Sequence, residues 1–561
     1  MDKKKLIGIL FLIFLLGLGL RLLNLNKPEG MWNDEYLTWE IAKASFPYEF
    51  FQAILRNCHA PLHYIYLKLW ILAFSDSDVS LRMSSLVPGV LSIIIMFFVG
   101  REAGKKTSDT AGLISAGLCA VSSFLIYFSQ EVRIYSLLFL LSALNALCAL
   151  KTLENPSKKN CMFFVLTSFL LMLEHTIGFV FVFFSTVSLI LFASKKSKFK
   201  KFLLTALVVA LIIFIPLAGL HIYNVMFNQQ YFSQWWAPFS WAKLAFFFTD
   251  LFSPYLVNIT NAPPSFWSMV YNGHTINWGF TLFAFIPLGI AAFCMVKALF
   301  DFDKKIRYIL LTSFGVYFTV LIASLFGKIL FLTKYMTEIY PLLILLCTAG
   351  FVSFKSKGLK ITLATVYTVV CIFFIFASQY SPVKLIRTEG QNIPVAMLKV
   401  LKYDNDDKVL FLYYPKERFL KYSKEIPENI NTSHISKYDF LFIKDNDEIM
   451  KDTYAEGKIT YKPVFASNVN IGLDKFLKKN VYSDIQKGDR FFLVDFAPVT
   501  IFGDTEFQNV LKSEKRYNST PFLYLVFSYI RNYIVKSANT LLSFSGVVNY
   551  QDWRIFIFEK T

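Results

Sequence analysis

Two adjacent carboxylates, Asp34 and Glu35, follow the first apolar segment of this 561-residue chain, which runs over residues 6–24. Ionisable side chains at the edge of a membrane segment are costly and are typically retained for function. The flanking residues are Asn33 and Tyr36, so no cation stands beside the pair in the sequence. A carboxylate can act as a general base, and a second carboxylate raises its pKa by like-charge repulsion. We therefore predict that this pair performs chemistry.

Other polar residues lie at the ends of apolar segments. They are His59, His63, Arg82, Glu131, Arg133, Tyr135, His175 and Lys334. Taken singly, several have a structural interpretation that the sequence leaves open. Glu131 in the first turn of a helix would be favoured by the helix dipole, and Arg133 could pair with it. Arg82 and Lys334 could anchor lipid headgroups, and His175 could satisfy backbone groups at a tight reversal.

The composition excludes a soluble globular protein. Hydrophobic residues make up 55% of the chain, charged residues only 17%, and the mean hydropathy is +0.48, whereas soluble domains carry about 25% charged residues. Much of the net charge of +18 comes from Lys and Arg clusters between apolar runs, which is the positive-inside pattern and not a nucleic-acid-binding face. The seven cysteines show no CxxC, so neither a zinc site nor a disulfide framework is indicated.

The apolar runs predict a polytopic membrane protein with about eleven helical spans. The predicted spans are 6–24, 80–100, 108–128, 132–151, 161–173, 176–194, 202–221, 276–300, 307–327, 338–355 and 360–378. Clusters of basic residues follow alternate spans. All of these clusters are cytoplasmic only if Pro61–Phe74 lies in the outer membrane interface and does not cross the membrane. We therefore predict a plasma-membrane protein with a cytoplasmic N-terminus and an extracytoplasmic C-terminal region.

Three segments then face the exterior. Residues 25–79 form a first outer loop with interfacial helices, and residues 222–275 form an aromatic-rich outer loop, typical either of an interfacial belt or of a wall for a lipid-linked substrate. The tail, residues 381–561, carries compact apolar runs among charged stretches and is predicted to be a mixed α/β domain. The predicted strands cover Val409–Tyr414, Tyr438–Ile443, Arg490–Phe496 and Trp553–Phe558.

Short motifs occur in a characteristic order along residues 1–380. They are Asn33-Asp34-Glu35-Tyr36, His59-Ala60-Pro61-Leu62-His63-Tyr64, Leu81-Arg82, Tyr127-Phe128-Ser129-Gln130-Glu131-Val132-Arg133-Ile134-Tyr135-Ser136, and Lys334-Tyr335 before Pro341. The set resembles GT-C membrane glycosyltransferases of the protein O-mannosyltransferase and aminoarabinose transferase type. Its most specific part is Ser129–Tyr135 combined with Asp34-Glu35. The chain departs from the family pattern at Ala60, where a second proline is usual, and at Lys334, where an arginine is common.

The resemblance implies a GT-C-type transmembrane catalytic domain over residues 1–380 and an inverting transfer of a sugar from a polyprenyl-phosphate donor to an acceptor hydroxyl. Asp34 is then the catalytic base. Glu35 is the second candidate for the same role, or it assists Asp34 by raising the pKa of that carboxylate. The donor phosphate would be bound by Arg82, Arg133 and Lys334. The residues that would orient sugar or acceptor are His59, His63, Glu131, Tyr135 and His175.

The implied partners are the polyprenyl-phosphate-linked donor, membrane lipids, and an acceptor that is a lipid, a glycan or a protein. The sequence requires no cofactor. The two carboxylates and nearby histidines could hold a divalent metal, but no ligand spacing demands one. No P-loop is present and no GxGxxG follows a strand, which agrees with a donor that arrives on a lipid.

Two other functions compete with the transferase. A transporter would place ionisable or helix-breaking residues near the bilayer midplane in related halves of the chain, whereas here they gather at the outer ends of spans. A non-catalytic scaffold would leave Asp34-Glu35 and the Ser129–Tyr135 motif without a purpose. The transferase is therefore the preferred hypothesis, with the transporter second.

Overall fold

The structure is a computed structural model. It describes residues 2–23, 25–26, 30–56, 60–104, 107–193, 203–205, 208, 242–253, 283, 285–301, 303–325, 332–380, 408–412, 431–435, 477–478, 482, 487, 489–496, 535, 538–539, 542–550 and 553–560. The chain divides into two compact units. The first comprises residues 1–27, 34–227 and 236–386, and the second comprises residues 28–33, 228–235 and 387–561.

The described part of the first unit is helical. Its α-helices are α1 (Lys3–Leu22), α2 (Asn33–Lys43), α3 (Tyr48–Arg56), α4 (Leu62–Ala73), α5 (Asp78–Ala103), α6 (Ser108–Val121), α7 (Ser123–Ser129), α8 (Tyr135–Glu154), α9 (Lys158–Glu174), α10 (Thr176–Phe192), α11 (Ala242–Phe252), α12 (Ile286–Ala298), α13 (Lys304–Leu325), α14 (Tyr340–Ser353) and α15 (Lys357–Tyr380). A 3₁₀ helix, Thr333–Ile339, leads directly into α14.

Six helices among the described residues are long and apolar enough to cross a membrane, or seven if one bent pair counts as a single span. This identifies a membrane protein, whereas the predicted eleven spans remain a prediction. Helix α4 has 12 residues, too few to cross the hydrocarbon at 1.5 Å per residue. Its length agrees with the prediction that Pro61–Phe74 does not cross.

The predicted span 108–128 is not a single straight helix. Helices α6 and α7 meet at Ser122 with a bend of 60°. Ser122 has an extended backbone, and its hydroxyl accepts a hydrogen bond from the Leu125 N–H, which makes it the N-cap of α7. The same hydroxyl lies 2.9 Å from the Tyr340 hydroxyl at the start of α14. Uniform hydropathy concealed this break because both helices are apolar.

Close packing of α12 against α14 depends on a glycine. A Cβ at Gly350 would lie 1.7 Å from the Cys294 carbonyl oxygen, so only glycine permits this approach. Most residues of α5 and of the span that contains α14 are buried, whereas most of α1 is not. The core of the first unit therefore lies around α5 and α14.

Ion pairs join several helix ends on one side of the first unit. Lys305 at the start of α13 donates to the Glu102 carbonyl near the end of α5 (2.6 Å), and its Nζ lies 3.2 Å from Glu154 at the end of α8. Helix α5 has 26 residues, which at 1.5 Å per residue separates its ends by about 39 Å. Arg82 in its first turns therefore lies far from these basic residues. This agrees with the predicted segregation of basic clusters from the polar candidates.

The second unit contains a five-stranded sheet. Its strands are β1 (Lys408–Leu412), β2 (Asn431–Ile435), β3 (Arg490–Phe496), β4 (Ser543–Tyr550) and β5 (Trp553–Glu559), in the order β2-β1-β3-β5-β4. Strand β1 is parallel to β2 and β3, whereas β5 is antiparallel to β3 and β4. Three predicted runs coincide with β1, β3 and β5, and the predicted strand Tyr438–Ile443 lies outside the described residues. The mixed α/β domain as a whole stays a prediction.

Candidate active site

Helix α2 carries the two carboxylates in its first turn, where the helix dipole favours negative charge. Consecutive residues of an α-helix point about 100° apart, so the two side chains face different surroundings. The Glu35 side chain is 1% exposed and the Asp34 side chain is 22% exposed. Only Asp34 is therefore open to a substrate in this arrangement.

Glu35 is held by Arg82 of α5. The Arg82 Nε donates to Oε1 at 3.3 Å and its Nη2 donates to Oε2 at 3.1 Å, a two-point contact between fully buried groups. The Val132 N–H adds a third hydrogen bond to Oε1 at 3.0 Å. The sequence shows no cation beside the carboxylate pair because the partner of Glu35 is 47 residues away in the chain.

Asp34 lies beside Arg133. The Arg133 Nη2 is 3.5 Å from Asp34 Oδ2, and its Nη1 donates to the Asp34 carbonyl at 3.1 Å and to the Thr38 hydroxyl at 3.0 Å. Burial disfavours the charged guanidinium, but the Asp34 carboxylate raises the pKa of Arg133 above its ordinary value. The base candidate thus has a permanent positive charge next to it.

The segment Ser129–Tyr135 runs from the last residue of α7 to the first residue of α8 and contains the turn between them, residues 130–134. Gln130 donates its side-chain N–H groups to the carbonyls of Arg21 (3.1 Å) and Leu23, which terminate α1. Glu131 is buried in this turn, and α8 begins only at Tyr135. Glu131 therefore lies outside the first turn of α8, so the alternative in which the helix dipole explains its position does not hold.

Arg21 is a residue that sequence reasoning missed. Its buried guanidinium donates to the Cys119 and Ala120 carbonyls at the end of α6, to the Gly17 carbonyl, and to the Ser129 hydroxyl at 3.2 Å. In the sequence it is visible only as a charge that ends the first apolar run. A buried charge inside an apolar segment was the available signal.

His63 and His175 lie against buried carboxylates near the junction of α9 and α10. His63 of α4 lies 3.6 Å from Glu174, the last residue of α9. The next residue, His175, hydrogen-bonds to Glu338 of the 3₁₀ helix. These pairs connect three elements at the same end of the unit as Asp34. His59, also predicted to orient substrate, lies outside the described residues.

Lys334 lies on the 3₁₀ helix, close to the aromatic side chains that surround Arg133. Its Nζ is 5.9 Å from the centre of the Tyr135 ring and 5.6 Å from that of Tyr335, within the range of a cation–π contact. The Tyr335 ring is in turn 6.1 Å from His175. Tyr135 also interacts with Arg133, so it lies beside two of the three cations that are candidates for phosphate binding.

The arrangement brings together a partly exposed carboxylate, a guanidinium and an ammonium. This is the charge pattern needed to deprotonate a nucleophile and to stabilise a leaving anion. Within the described residues, no three His, Cys, Asp or Glu side chains form a group that could hold a metal ion.

Comparison with known proteins gives one family match. Residues 58–219 match the family described as dolichyl-phosphate-mannose-protein mannosyltransferase. The matched segment is less than a third of the chain and contains Arg82, the Ser129–Tyr135 motif and His175, but neither Asp34-Glu35 nor Lys334. A search of curated proteins finds no match.

Several solved structures are similar at low identity. ArnT from Cupriavidus metallidurans in the apo state has a TM-score of 0.49 and 11% identity, with 99% of this chain and 96% of that chain covered. The same protein bound to undecaprenyl phosphate has a TM-score of 0.47 and 10% identity, with 99% and 97% covered. The apo oligosaccharyltransferase of Archaeoglobus fulgidus has a TM-score of 0.44 and 12% identity, with 88% and 70% covered.

The family match confirms the predicted resemblance to the protein O-mannosyltransferase type. It includes the Ser129–Tyr135 motif but not Asp34-Glu35, the other half of the combination that is most specific in the sequence. Over residues 58–219 the chain carries the sequence features of the dolichyl-phosphate-mannose-protein mannosyltransferase family, whose members are glycosyltransferases.

Proposed function

We propose that the protein transfers a sugar from a polyprenyl-phosphate donor to an acceptor hydroxyl on the extracytoplasmic side, with inversion at the anomeric carbon. The observation that carries this proposal is the position of Asp34, a partly exposed carboxylate that lies beside Arg133. ArnT, one of the similar proteins, has been solved with undecaprenyl phosphate. The class of donor in the proposal is the one that the resemblance implies.

Asp34 acts in this reaction as the general base. It accepts the proton of the acceptor hydroxyl while the hydroxyl oxygen attacks the anomeric carbon, and the bond from that carbon to the phosphate oxygen breaks. Negative charge then develops on the leaving phosphate, and Arg133 and Lys334 stabilise it. Lysine offers a point charge in place of the arginine fork common in the family.

The remaining predicted residues take supporting roles. Arg82 is paired with Glu35 inside the protein, so we assign to Arg133 and Lys334 the phosphate contact that the sequence also offered to Arg82. Tyr135 lies beside both cations. His63, His175 and, by resemblance, His59 and Glu131 shape the walls around sugar and acceptor. A divalent metal remains compatible with the carboxylates but is not required for this charge pattern.

The proposed orientation follows from the basic clusters. The N-terminus is cytoplasmic, the candidate site and residues 381–561 are extracytoplasmic, and the protein resides in the plasma membrane. The donor arrives from the membrane with its sugar already on the outer side, and the acceptor is a lipid, a glycan or a protein. Residues 222–275 are proposed to border the lipid-linked donor.

A transporter of a lipid-linked or envelope substrate is the second candidate. Buried ionisable side chains near the bilayer midplane would favour it. Among the described residues, Glu35, Arg82 and Glu338 instead lie around one end of the unit, and Lys305 lies at the other. This distribution supports the transferase.

Replacement of Asp34 by asparagine tests the base assignment. The change keeps the shape of the side chain and removes its basicity, so kcat should fall about 10²–10⁴-fold. The purified protein is incubated with radiolabelled polyprenyl-phosphate sugars and a membrane extract as a source of acceptors. Asp76→Asn is the matched control, because Asp76 forms an exposed ion pair with Lys43 in the same outer region. This control should retain wild-type activity.

Three results would contradict the proposal. Wild-type rates in Asp34→Asn would remove Asp34 from the base role. If the wild-type protein consumes a nucleotide sugar but no polyprenyl-phosphate sugar, the proposed donor class is wrong. If it only moves a lipid-linked sugar across the membrane of vesicles, the transporter is favoured.

A further inference from the structure

Glu35 is too deeply buried for the base or helper role that the sequence offered it. Its side chain is 1% exposed, and both carboxylate oxygens accept hydrogen bonds from the protein. A substrate hydroxyl could reach it only if these contacts were broken. We propose that Glu35 is a positioning residue that fixes the direction of the Asp34 carboxylate through Arg82 and the Val132 amide. This inference rests on the proposed role of Asp34.

Hydrogen bonds from two described partners, Arg82 and Val132, orient Glu35. Arg82 supplies two of them from a planar guanidinium, and the Val132 N–H supplies the third. Arg82 is itself oriented by the Leu25 carbonyl at 3.3 Å. A buried ion pair gives little net stability, because the cost of removing both charges from water offsets their attraction. A geometric role therefore explains this pair better than a stabilising one.

The rotation of α2 about its axis links Glu35 to Asp34. The two residues are neighbours on the helix, so contacts that fix one side chain fix the direction of the other. A carboxylate lies roughly 5–6 Å from the helix axis, and a rotation of about 10° moves it by about 1 Å. A displacement of about 1 Å can cost 10²-fold in rate.

The Ser129–Tyr135 turn holds α2 at a second point. Its Val132 N–H binds Glu35, and its Arg133 binds the Asp34 carbonyl and the Thr38 hydroxyl. Thr38 also donates to the Asp34 carbonyl at 2.7 Å. The Ser129–Tyr135 motif thus surrounds the first turn of α2, which carries the Asp34-Glu35 motif.

Kinetics of two conservative variants test this role. Glu35→Gln keeps an acceptor for Val132 but loses the paired charge, and Thr38→Val removes the hydroxyl with little change in shape. We expect kcat to fall about 100-fold and about 10-fold, respectively, while the donor KM stays within about threefold. The acidic limb of the pH–rate profile, which reports the base, should persist in both variants. Asp76→Asn again serves as control.

Each alternative gives a different result. Loss of the acidic limb in folded Glu35→Gln would make Glu35 the base, and a raised donor KM at unchanged kcat would make it a binding residue. A purely structural role would lower the melting temperature and leave kcat of the folded fraction intact. If Glu35→Gln fails to fold, the double variant E35Q/R82Q also removes the unpaired charge of Arg82 and takes its place. If that variant fails to fold as well, Thr38→Val is the deciding variant. An unchanged kcat in Thr38→Val then overturns the proposal.

A measurement without substrate separates this proposal from the proposed function. A water-soluble carbodiimide with glycinamide labels accessible carboxylates, and peptide mass spectrometry quantifies Asp34. We expect labelling of Asp34 in Glu35→Gln to be at least threefold faster than in the wild type, because the first turn of α2 loses its rotational constraint. An unchanged rate overturns the positioning role even if no sugar donor is ever consumed.

Discussion

Gln130 connects the end of α1 to the start of the candidate site, and its replacement by glutamate is a sharp perturbation. The amide donates to the Arg21 and Leu23 carbonyls and is almost fully buried. Glutamate has nearly the same shape, but when ionised it has no donor and places negative charge against the oxygens of both carbonyls. The expected result is a pH-dependent loss of stability.

The magnitude follows from the contacts. Each of the two buried carbonyls that loses its donor costs about 1–3 kcal/mol, so Gln130→Leu should cost about 2–6 kcal/mol at any pH. In Gln130→Glu the folded state favours the protonated acid, which still donates one hydrogen bond, so its pKa rises above the ordinary value of about 4.3. Stability is then greatest at acidic pH and falls by up to about 1.4 kcal/mol per unit as the pH rises towards the folded-state pKa.

The assay is thermal unfolding of the purified protein in detergent, followed by tryptophan fluorescence at pH 5 and pH 8. Gln130→Glu should melt below the wild type by a margin that widens at pH 8 and exceeds that of Gln130→Leu. Gln52→Glu on α3 is the matched control, because Gln52 makes a 3.4 Å hydrogen bond with Tyr48 at the exposed surface. This control should change stability by no more than about 0.5 kcal/mol. An equal margin at both pH values would refute the assigned role of the amide.

Two further predictions concern pH and orientation. Burial raises the pKa of Asp250 to about 7, although the Thr333 hydroxyl donates a hydrogen bond to its carboxylate at 2.6 Å and opposes this rise. The folded-state pKa therefore exceeds the unfolded value of about 3.9. The folded protein should lose stability as the pH rises from about 4 to 7. The melting temperature of Asp250→Asn minus that of the wild type should therefore increase from pH 5 to pH 8. A difference that stays constant between these pH values would contradict this prediction. In a cysteine-free background, Thr107→Cys should resist a membrane-impermeant maleimide on intact cells while Glu40→Cys reacts, since both positions are exposed; the reverse pattern would invert the orientation.

Much of the helical framework could be predicted from the sequence because membrane segments obey a strong local rule. A long apolar run must form a helix that satisfies its own backbone, and α5, α8, α13 and α15 lie where hydropathy predicts spans. The bend at Ser122 escaped prediction, because hydropathy does not report the direction of a helix. Strand β3 coincides with its predicted range, whereas β2 and β4 were missed because their sequences are more polar.

The sequence by itself determined that Asp34 and Glu35 stand at the end of a membrane segment and that the Ser129–Tyr135 motif belongs with them. It could not determine which carboxylate faces the candidate site. That difference depends on the rotation of α2, and contacts with Arg82, Val132 and Arg133, which are 47 to 99 residues away, fix this rotation. Adjacent residues share a position in the sequence but point about 100° apart on a helix, so only tertiary packing could bury Glu35 and leave Asp34 accessible.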